Sequence, residues 1–206
     1  MSRPFSRRAL IAAAGALALS APAAAAPRPD DMVLGKANAP VEVVEYASLT
    51  CPHCADFHAT VFPAFKKKYV DTGKVRFIFR ELPTPPIQVA TAGFLMARCA
   101  GPAKYFKVVD EIFRSQESWY GSPAGPLGAL RSIAKANGMS EAKFQTCITD
   151  SKQVDALTRR VSDAVGTENV RATPTFFVNG KMVKEGEISM AEFDAAIAAA
   201  GKPGGR

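Results

Sequence analysis

The sequence predicts an α/β fold that carries a long all-helical insertion, and three observations lead to this prediction. A strand pattern, a helical pattern and a second strand pattern follow one another over residues 41–80, which is typical of a strand–helix–strand unit. Residues 87–149 show helical patterns only. Strand patterns return at residues 174–183, and a last helix follows. Two α/β segments therefore flank a helical one.

Length and charge limit the classes of protein to consider. A chain of 206 residues suits one domain with an insertion and can bury a sizeable core. The net charge is +7. Residues 1–26 contain three arginines and no acid, so the remaining chain has a net charge of +4. A modest positive excess without a basic, aromatic-rich cluster indicates a solvated surface. We therefore expect no nucleic-acid partner.

Residues 1–26 have the pattern of an export signal. Arg3, Arg7 and Arg8 precede an apolar core at residues 9–19 and a small-residue tract at 21–26. The apolar core is short for a membrane span, so we expect cleavage, after one of residues 23–25. The paired arginines leave open a twin-arginine route beside the ordinary secretory one.

The first strands follow a polar arm. Residues 27–40 are rich in Pro, Asp, Gly and Asn and contain one short strand pattern at 32–34. Residues 41–47 are nearly all apolar, which predicts a central strand covered on both faces. Glu45 is the exception, because a buried carboxylate is costly without a partner. Two interpretations stay open: Glu45 faces an edge or pairs with a lysine, or it is a proton acceptor.

The central motif is Cys51-Pro52-His53-Cys54, placed between this strand and a helical pattern. Cys51 should lie at the helix N-terminus, where unpaired N–H groups and the helix dipole favour a thiolate. Pro52 suits the first helical turn, and His53 adds a titratable group beside the sulfur. A thiolate attacks disulfides, so the motif predicts redox chemistry.

The helix after the motif should be kinked. Its apolar residues lie four apart, at Phe57, Val61, Phe65 and Tyr69, and so share one face. Pro63 removes one backbone hydrogen bond within this run. His58 lies one turn after the motif and is expected to be a surface or packing residue. A second strand, residues 75–80, should pair in parallel with the first through a right-handed crossover.

Four helical patterns make up the insertion, at residues 87–100, 103–117, 123–137 and 140–149, separated by Gly and Pro. Cys99 lies four residues after Leu95, and Cys147 lies three after Phe144, so each cysteine should point inward. Four cysteines allow three pairings, and the two insertion cysteines could also be buried free thiols.

The chain then returns to the first layer. A helix is predicted at residues 151–165, then a strand that begins at Pro174 and turns at Asn179-Gly180. Residues 182–183 continue as its partner strand. Residues 189–200 form the last helix, and residues 201–206 a frayed tail.

Two segments carry a resemblance to a known family. The segment from Glu45 to Cys54, with its Cys-Pro-His-Cys motif, and Thr173-Pro174-Thr175 before Phe-Phe-Val-Asn-Gly resemble the DsbA-like thiol:disulfide oxidoreductases of the bacterial periplasm. The resemblance covers about residues 33–200 and implies a thioredoxin-like fold with an inserted all-helical subdomain. It assigns residues 27–82 and 158–206 to the thioredoxin-like part and 83–157 to the insertion.

The family pattern also implies roles for individual residues. Cys51 and Cys54 would form the redox disulfide, which leaves Cys99 to pair with Cys147 as a structural bridge. A cis Thr173–Pro174 bond would face the disulfide and offer the Thr173 backbone to a substrate strand. His53 would tune the pKa of Cys51, and Glu45 would stand beneath the disulfide as a proton relay.

The resemblance implies a function as well. The protein would donate its disulfide to reduced, newly exported polypeptides through a mixed disulfide on Cys51, and a membrane quinone-linked oxidase would restore it. We expect a monomer without a cofactor, located in the periplasm.

Two other functions remain open. Thr173 before the cis-proline is familiar from disulfide isomerases, so an isomerase or reductase could use the same motif, although the chain before the first strand is too short for a separate dimerisation domain. A metal site at Cys51, Cys54 and a histidine is a remote alternative. Zinc needs four ligands in tetrahedral reach, and Cys99 and Cys147 lack Cys-X-X-Cys spacing.

Overall fold

The computed structural model describes residues 28–119 and 121–201. The predicted export signal lies outside the described residues and stays a prediction. The strands are β1 (Met32–Leu34), β2 (Val41–Ala47), β3 (Val75–Glu81), β4 (Thr175–Val178) and β5 (Lys181–Glu185). The helices are α1 (Pro52–Thr60), α2 (Phe62–Phe65), α3 (Ile87–Cys99), α4 (Pro102–Ser115), α5 (Gly125–Ala136), α6 (Glu141–Ile148), α7 (Ser151–Gly166) and α8 (Met190–Ala200).

The five strands form one mixed sheet in the order β1-β3-β2-β4-β5. β2 and β3 pair in parallel, which confirms the predicted strand–helix–strand unit, and the other pairs are antiparallel. β2 is the middle strand, and its side chains alternate between two cores. Val43 and Ala47 face a large core beneath α1 and the helical insertion, whereas Val44 and Tyr46 face a smaller core that also contains Ala164 of α7. The central, two-sided position predicted for β2 is therefore confirmed.

The helix after the motif is broken where the sequence predicts a kink. α1 ends at Thr60, α2 follows with Pro63 in its first turn, and residues 66–70 wind as a π-helical turn. Phe57, Phe65 and Tyr69 are buried. The missing Pro63 N–H interrupts the i to i−4 ladder, and the chain re-forms its hydrogen bonds with a wider register.

The helical insertion packs against the outer half of the sheet. Tyr105 and Phe113 of α4 lie against Phe79 of β3, with ring centroids 6.1 and 6.3 Å apart. A disulfide joins Cys99 at the end of α3 to Cys147 of α6, with the two Cα atoms 6.0 Å apart. The insertion is thus tied internally by a bridge across 48 residues. The division of the chain at residues 82 and 157 stays a prediction.

A buried carboxylate connects the sheet to the insertion and to α7. Glu81, at the end of β3, is fully buried on its side chain and accepts hydrogen bonds from Arg98, Arg160 and Tyr105 at 3.0, 2.8 and 3.1 Å. Desolvating these charged groups costs free energy, and the attraction between Glu81 and the two arginines offsets that cost. Removing Glu81 would leave the two positive charges without this compensation.

The last part of the chain brings a loop to the sheet centre. The Thr173–Pro174 peptide bond is cis, as expected, and the Pro85–Pro86 bond, which the sequence reasoning did not address, is cis too. β4 and β5 turn at Asn179 and Gly180, whose φ angles of 46° and 76° are the left-handed values that a two-residue hairpin requires. A capping box begins α8. None of the described helices is both long and apolar enough to span a bilayer.

Candidate active site

Cys51 is the N-cap residue of α1, with extended backbone angles and Pro52 in the first turn. The residue is buried, at 7% exposure, and its thiol donates to the Thr173 carbonyl at 3.3 Å. A hydrogen bond from the Cys54 thiol is the largest cause that lowers the pKa of Cys51 to about 5, and the Thr173 side chain and the backbone N–H groups of Cys54 and His53 act in the same direction against burial. A pKa of about 5 favours the thiolate at neutral pH, and on ionising Cys51 gives up the hydrogen bond that its thiol donates to Thr173.

Cys54 has the opposite character. Its side chain is fully buried, and burial raises its pKa well above the usual thiol value, helped by the hydrogen bond to Cys51 and the charge of Glu45. Both cysteines are free thiols in this structure. Cys51 therefore has the lower pKa and the slightly greater exposure of the two, and Cys54 the raised pKa and complete burial, which suits an attacking and a resolving sulfur.

The cis-proline loop lies against the motif. Pro174 is buried, and β4, which begins directly after it, pairs with β2 so that Thr175 lies opposite Tyr46. The Thr175 hydroxyl donates to the Ala172 carbonyl at 2.7 Å. This pairing brings a loop 122 residues away in sequence to within hydrogen-bond distance of the Cys51 sulfur.

The His53 side chain contacts Glu187. It is exposed, like its neighbour Pro52, and its Nδ1 lies 2.7 Å from a carboxylate oxygen of Glu187. What His53 contributes to the low pKa of Cys51 is its backbone N–H. The expectation that the imidazole itself tunes Cys51 finds no direct contact in the described structure, because the ring forms its hydrogen bond with Glu187 instead.

The position of Glu45 contradicts the first of the two interpretations, an edge position or a lysine partner. It lies on the middle strand rather than at an edge, its side chain is 0% exposed, and its partner is His58, at 2.8 Å, rather than a lysine. Burial raises the pKa of Glu45, against the lowering effect of His58.

His58 is itself buried, so the expected packing role is right and the expected surface role is wrong. The spacing of four from Cys54 carried a signal, since i and i+4 share a helix face.

Sequence reasoning missed the residues that hold the motif from the insertion. Gln116, just after α4, donates from its side-chain amide to the Leu49 carbonyl at 2.9 Å and, at 3.4 Å, to that of Cys51. The Thr50 hydroxyl donates to the Thr84 carbonyl at 2.8 Å. The strand-to-helix turn is thus fixed by side chains distant in sequence, which no local pattern could reveal.

A cavity of about 610 Å³ opens beside the motif, between α1 and α4. Pro52, His58, Phe113 and Trp119 contribute to its wall. The described residues contain no group of three or more His, Cys, Asp or Glu side chains that could hold a metal ion.

A mixed sheet of the thioredoxin type, a Cys-X-X-Cys pair at a helix N-terminus and a cis-proline loop facing it together form the kind of site that dithiol–disulfide exchange requires. The family follows from the comparisons. The family model described as "Thioredoxin" matches residues 28–199, and the chain belongs to this family.

Among solved structures, the chain is similar to those of DsbA proteins. Alpha-DsbA1 from Wolbachia pipientis is 33% identical with a TM-score of 0.74, over 84% of this chain and 92% of the other. BdbD from Bacillus subtilis, in its oxidised form, is 26% identical with a TM-score of 0.70, over 82% and 92% of the two chains. The chain is therefore a DsbA-type member of the thioredoxin family.

A Rickettsia bellii protein assigned as a protein-disulfide oxidoreductase is 32% identical over 168 residues. The alignment covers 82% of this chain and 63% of that protein. The chain thus spans less than two thirds of the length of this curated relative.

Proposed function

We propose that this protein is an exported disulfide donor, which oxidises reduced polypeptides through a mixed disulfide on Cys51. The observation that carries the proposal is the asymmetry of the two sulfurs. Cys51 has a pKa of about 5, and Cys54 is a buried thiol with a raised pKa. A thiolate stable at neutral pH is a good leaving group, and it favours the reduced enzyme, so the disulfide is a strong oxidant.

The reaction has two exchange steps. In the oxidised enzyme, a substrate thiolate attacks the Cys51 sulfur, the bond to Cys54 breaks, and Cys54 takes the electron pair and a proton. A second substrate thiolate then attacks the substrate sulfur of the mixed disulfide, and Cys51 leaves as a thiolate. The substrate is oxidised by two electrons and the enzyme is reduced by two. The Thr173 backbone, beside the Cys51 sulfur, would position the substrate strand.

Glu45 fits a role as proton relay for Cys54. Its carboxylate is buried in the core that also contains Cys54, and its charge raises the pKa of Cys54. A buried base near a buried thiol is the arrangement that proton transfer needs. Cys99 and Cys147 would serve as a structural bridge, away from this exchange.

The location and partners belong to the same proposal. The pattern of residues 1–26 supports export to the periplasm, where disulfides persist. The partners would be reduced exported polypeptides and a membrane quinone-linked oxidase that restores the disulfide, with the protein acting as a monomer. A reporter active only outside the cytoplasm, fused after residue 26, tests the export; an inactive reporter would contradict it.

The reduction potential of the Cys51–Cys54 pair tests the direction of transfer. We expect equilibration in glutathione buffers to give a value more oxidising than about −200 mV, near the poise of a secretory compartment. A value near −270 mV, about that of thioredoxin, would overturn the donor function and favour a reductase or isomerase.

Trapping tests the mixed disulfide separately. Cys54→Ser should accumulate a covalent adduct with a reduced cysteine peptide under mild oxidation, because the resolving sulfur is gone. The matched variant Cys51→Ser should form little adduct, because Cys54 is buried and protonated. Equal adduct on both variants would refute the assignment of Cys51 as the attacking sulfur.

A further inference from the structure

One buried ion pair lies outside the exchange steps described so far. Glu45 and His58 contact each other at 2.8 Å between Oε2 and Nε2, with side-chain exposures of 0% and 4%. The second carboxylate oxygen, Oε1, is buried and has no hydrogen-bond partner among the described residues. A buried acceptor left open is costly, and in a native site it points to a role in binding or catalysis.

The His58 ring packs among aromatic side chains, and the residue also borders a cavity. It stacks on Phe113 with ring centroids 4.5 Å apart and lies against Phe62 at 4.7 Å and Phe57 at 5.2 Å. The same residue lines the cavity of about 610 Å³. His58 is therefore the group that connects the sealed carboxylate with a space large enough for water.

The charged groups around the cavity leave a slightly negative environment. Asp110 and Arg114 form an ion pair at 2.9 Å, while Asp56 and Glu117 add two further carboxylates to the wall. The residues that pack on the His58 ring, Phe57, Phe62 and Phe113, carry no charge. Glu45 and the carboxylates of the cavity wall therefore surround His58 with acidic side chains.

Re-oxidation of the enzyme requires a path for one proton. When Cys51 has attacked an incoming disulfide, Cys54 must lose its proton before it can close the ring. Cys54 is fully buried, so the proton cannot leave directly to water. An acceptor inside the core and an exit at its boundary are both needed.

We propose that His58 is the proton exit for Glu45, so that the two residues act as one relay between Cys54 and the cavity. The Cys54 thiol gives its proton through a bridging water to Oε1 of Glu45, and His58 releases a proton to water in the cavity. The Cys54 thiolate then attacks the Cys51 sulfur, and the incoming disulfide's second thiolate leaves. This inference rests on the proposed redox function. His58 touches Glu45 rather than the sulfurs, so it is a positioning and proton-transfer residue.

Stopped-flow re-oxidation of the reduced protein by oxidised glutathione separates the two steps. Formation of the glutathione adduct on Cys51 is measured in a Cys54→Ser background, and ring closure in the intact pair. His58→Gln keeps a hydrogen-bond donor toward Glu45 but does not titrate near neutral pH. Phe62→Leu is the matched control, because it loosens the packing on the same ring without removing a titrating group.

We expect His58→Gln to slow ring closure roughly tenfold at pH 6, which is less than the contribution of a full general base, about 100-fold or more. The rate of ring closure should also depend less on pH in this variant. The rate of adduct formation on Cys51 should change less than about twofold, because this step needs no proton transfer from Cys54. Glu45→Gln with His58→Gln should be no slower than Glu45→Gln alone, because the two residues act in one path.

Three results would overturn the relay. These are ring closure in His58→Gln at the wild-type rate, equal slowing of both steps, and slowing in Phe62→Leu that equals the slowing in His58→Gln. A Cys54→Ser protein that forms no adduct on Cys51 would instead refute the redox function, and the relay with it. Normal adduct formation with unchanged ring closure refutes the relay alone.

Discussion

The Cys54 thiol should be the main reason that Cys51 is acidic, and removing it gives a sharp prediction. The hydrogen bond from Cys54 is the largest cause that lowers the pKa of Cys51 to about 5. Cys54→Ala deletes this donor. Cys54→Ser replaces it with a hydroxyl of similar reach and serves as the matched control. Both variants leave a single cysteine outside the structural bridge, so neither needs a reductant that could open Cys99–Cys147.

The magnitude follows from the strength of one hydrogen bond to a charged group. Such a bond contributes about 1.5–3 kcal/mol, and a change of one pH unit in pKa corresponds to about 1.4 kcal/mol. Cys54→Ala should therefore raise the pKa of Cys51 from about 5 to roughly 6–7. The Thr173 side chain and the N–H of His53 keep the value below that of a free thiol.

The ultraviolet absorbance of the thiolate, followed against pH, measures the effect, with Cys51→Ser as the blank. Cys54→Ser should titrate near the native value and Cys54→Ala clearly higher. If both variants ionise at the same pH, close to 5, the hydrogen bond from Cys54 is not the cause. The helix N-terminus and the Thr173 loop would then have to supply the whole effect.

The same pKa makes a prediction about stability. Because the folded pKa of Cys51 lies below its unfolded value, the thiolate stabilises the fold in full above pH 9 and loses this effect as the pH falls through about 5. At pH 7, about two pH units above the folded pKa, the contribution is roughly 3 kcal/mol. Urea unfolding of Cys54→Ser, compared with the variant that also carries Cys51→Ser, should show this difference at pH 7 and lose most of it near pH 4.5. A difference independent of pH would contradict the linkage.

Three other predictions concern the loop, the buried carboxylate and the second disulfide. Thr173→Val should raise the pKa of Cys51, because the Thr173 side-chain hydrogen bond lowers it; the thiolate titration checks this, and an unchanged curve would exclude that bond. Glu81→Gln should destabilise the fold by about 3 kcal/mol in urea, since it leaves the partly buried guanidinium groups of Arg98 and Arg160 with too little negative charge; a loss below about 0.5 kcal/mol would mean that water screens the site. Replacing both Cys99 and Cys147 by Ala should cost about 4 kcal/mol by chain entropy and leave the redox potential nearly unchanged. A large change in potential would show that the bridge acts on the active site.

Local patterns were enough to predict the course of the chain. The kink at Pro63 and the hairpin at Asn179 each depend on residues within one or two turns of one another. The parallel pairing of β2 with β3 follows from the strand–helix–strand order of the patterns. The placement of Cys51 at a helix N-terminus depended likewise on the strand-to-helix change at that point. The helical insertion was visible because residues 87–149 have no strand pattern.

Residues far apart in sequence decided the electrostatics of the site. Periodicity places Glu45 in a strand and His58 in a helix, but only the packing of α1 across the middle strand makes them partners. The carboxamide of Gln116 reaches the motif because the insertion folds back over it.

His53 shows the same limit from the other side. Its position in the motif is fixed by the sequence, yet the direction of its ring depends on Glu187, 134 residues later. A sequence thus determines which chemistry is offered at Cys51 and Cys54, because that chemistry needs a short motif at a helix start. The tertiary structure determines how far each pKa moves, because burial and hydrogen-bond partners are set by which elements come to lie together.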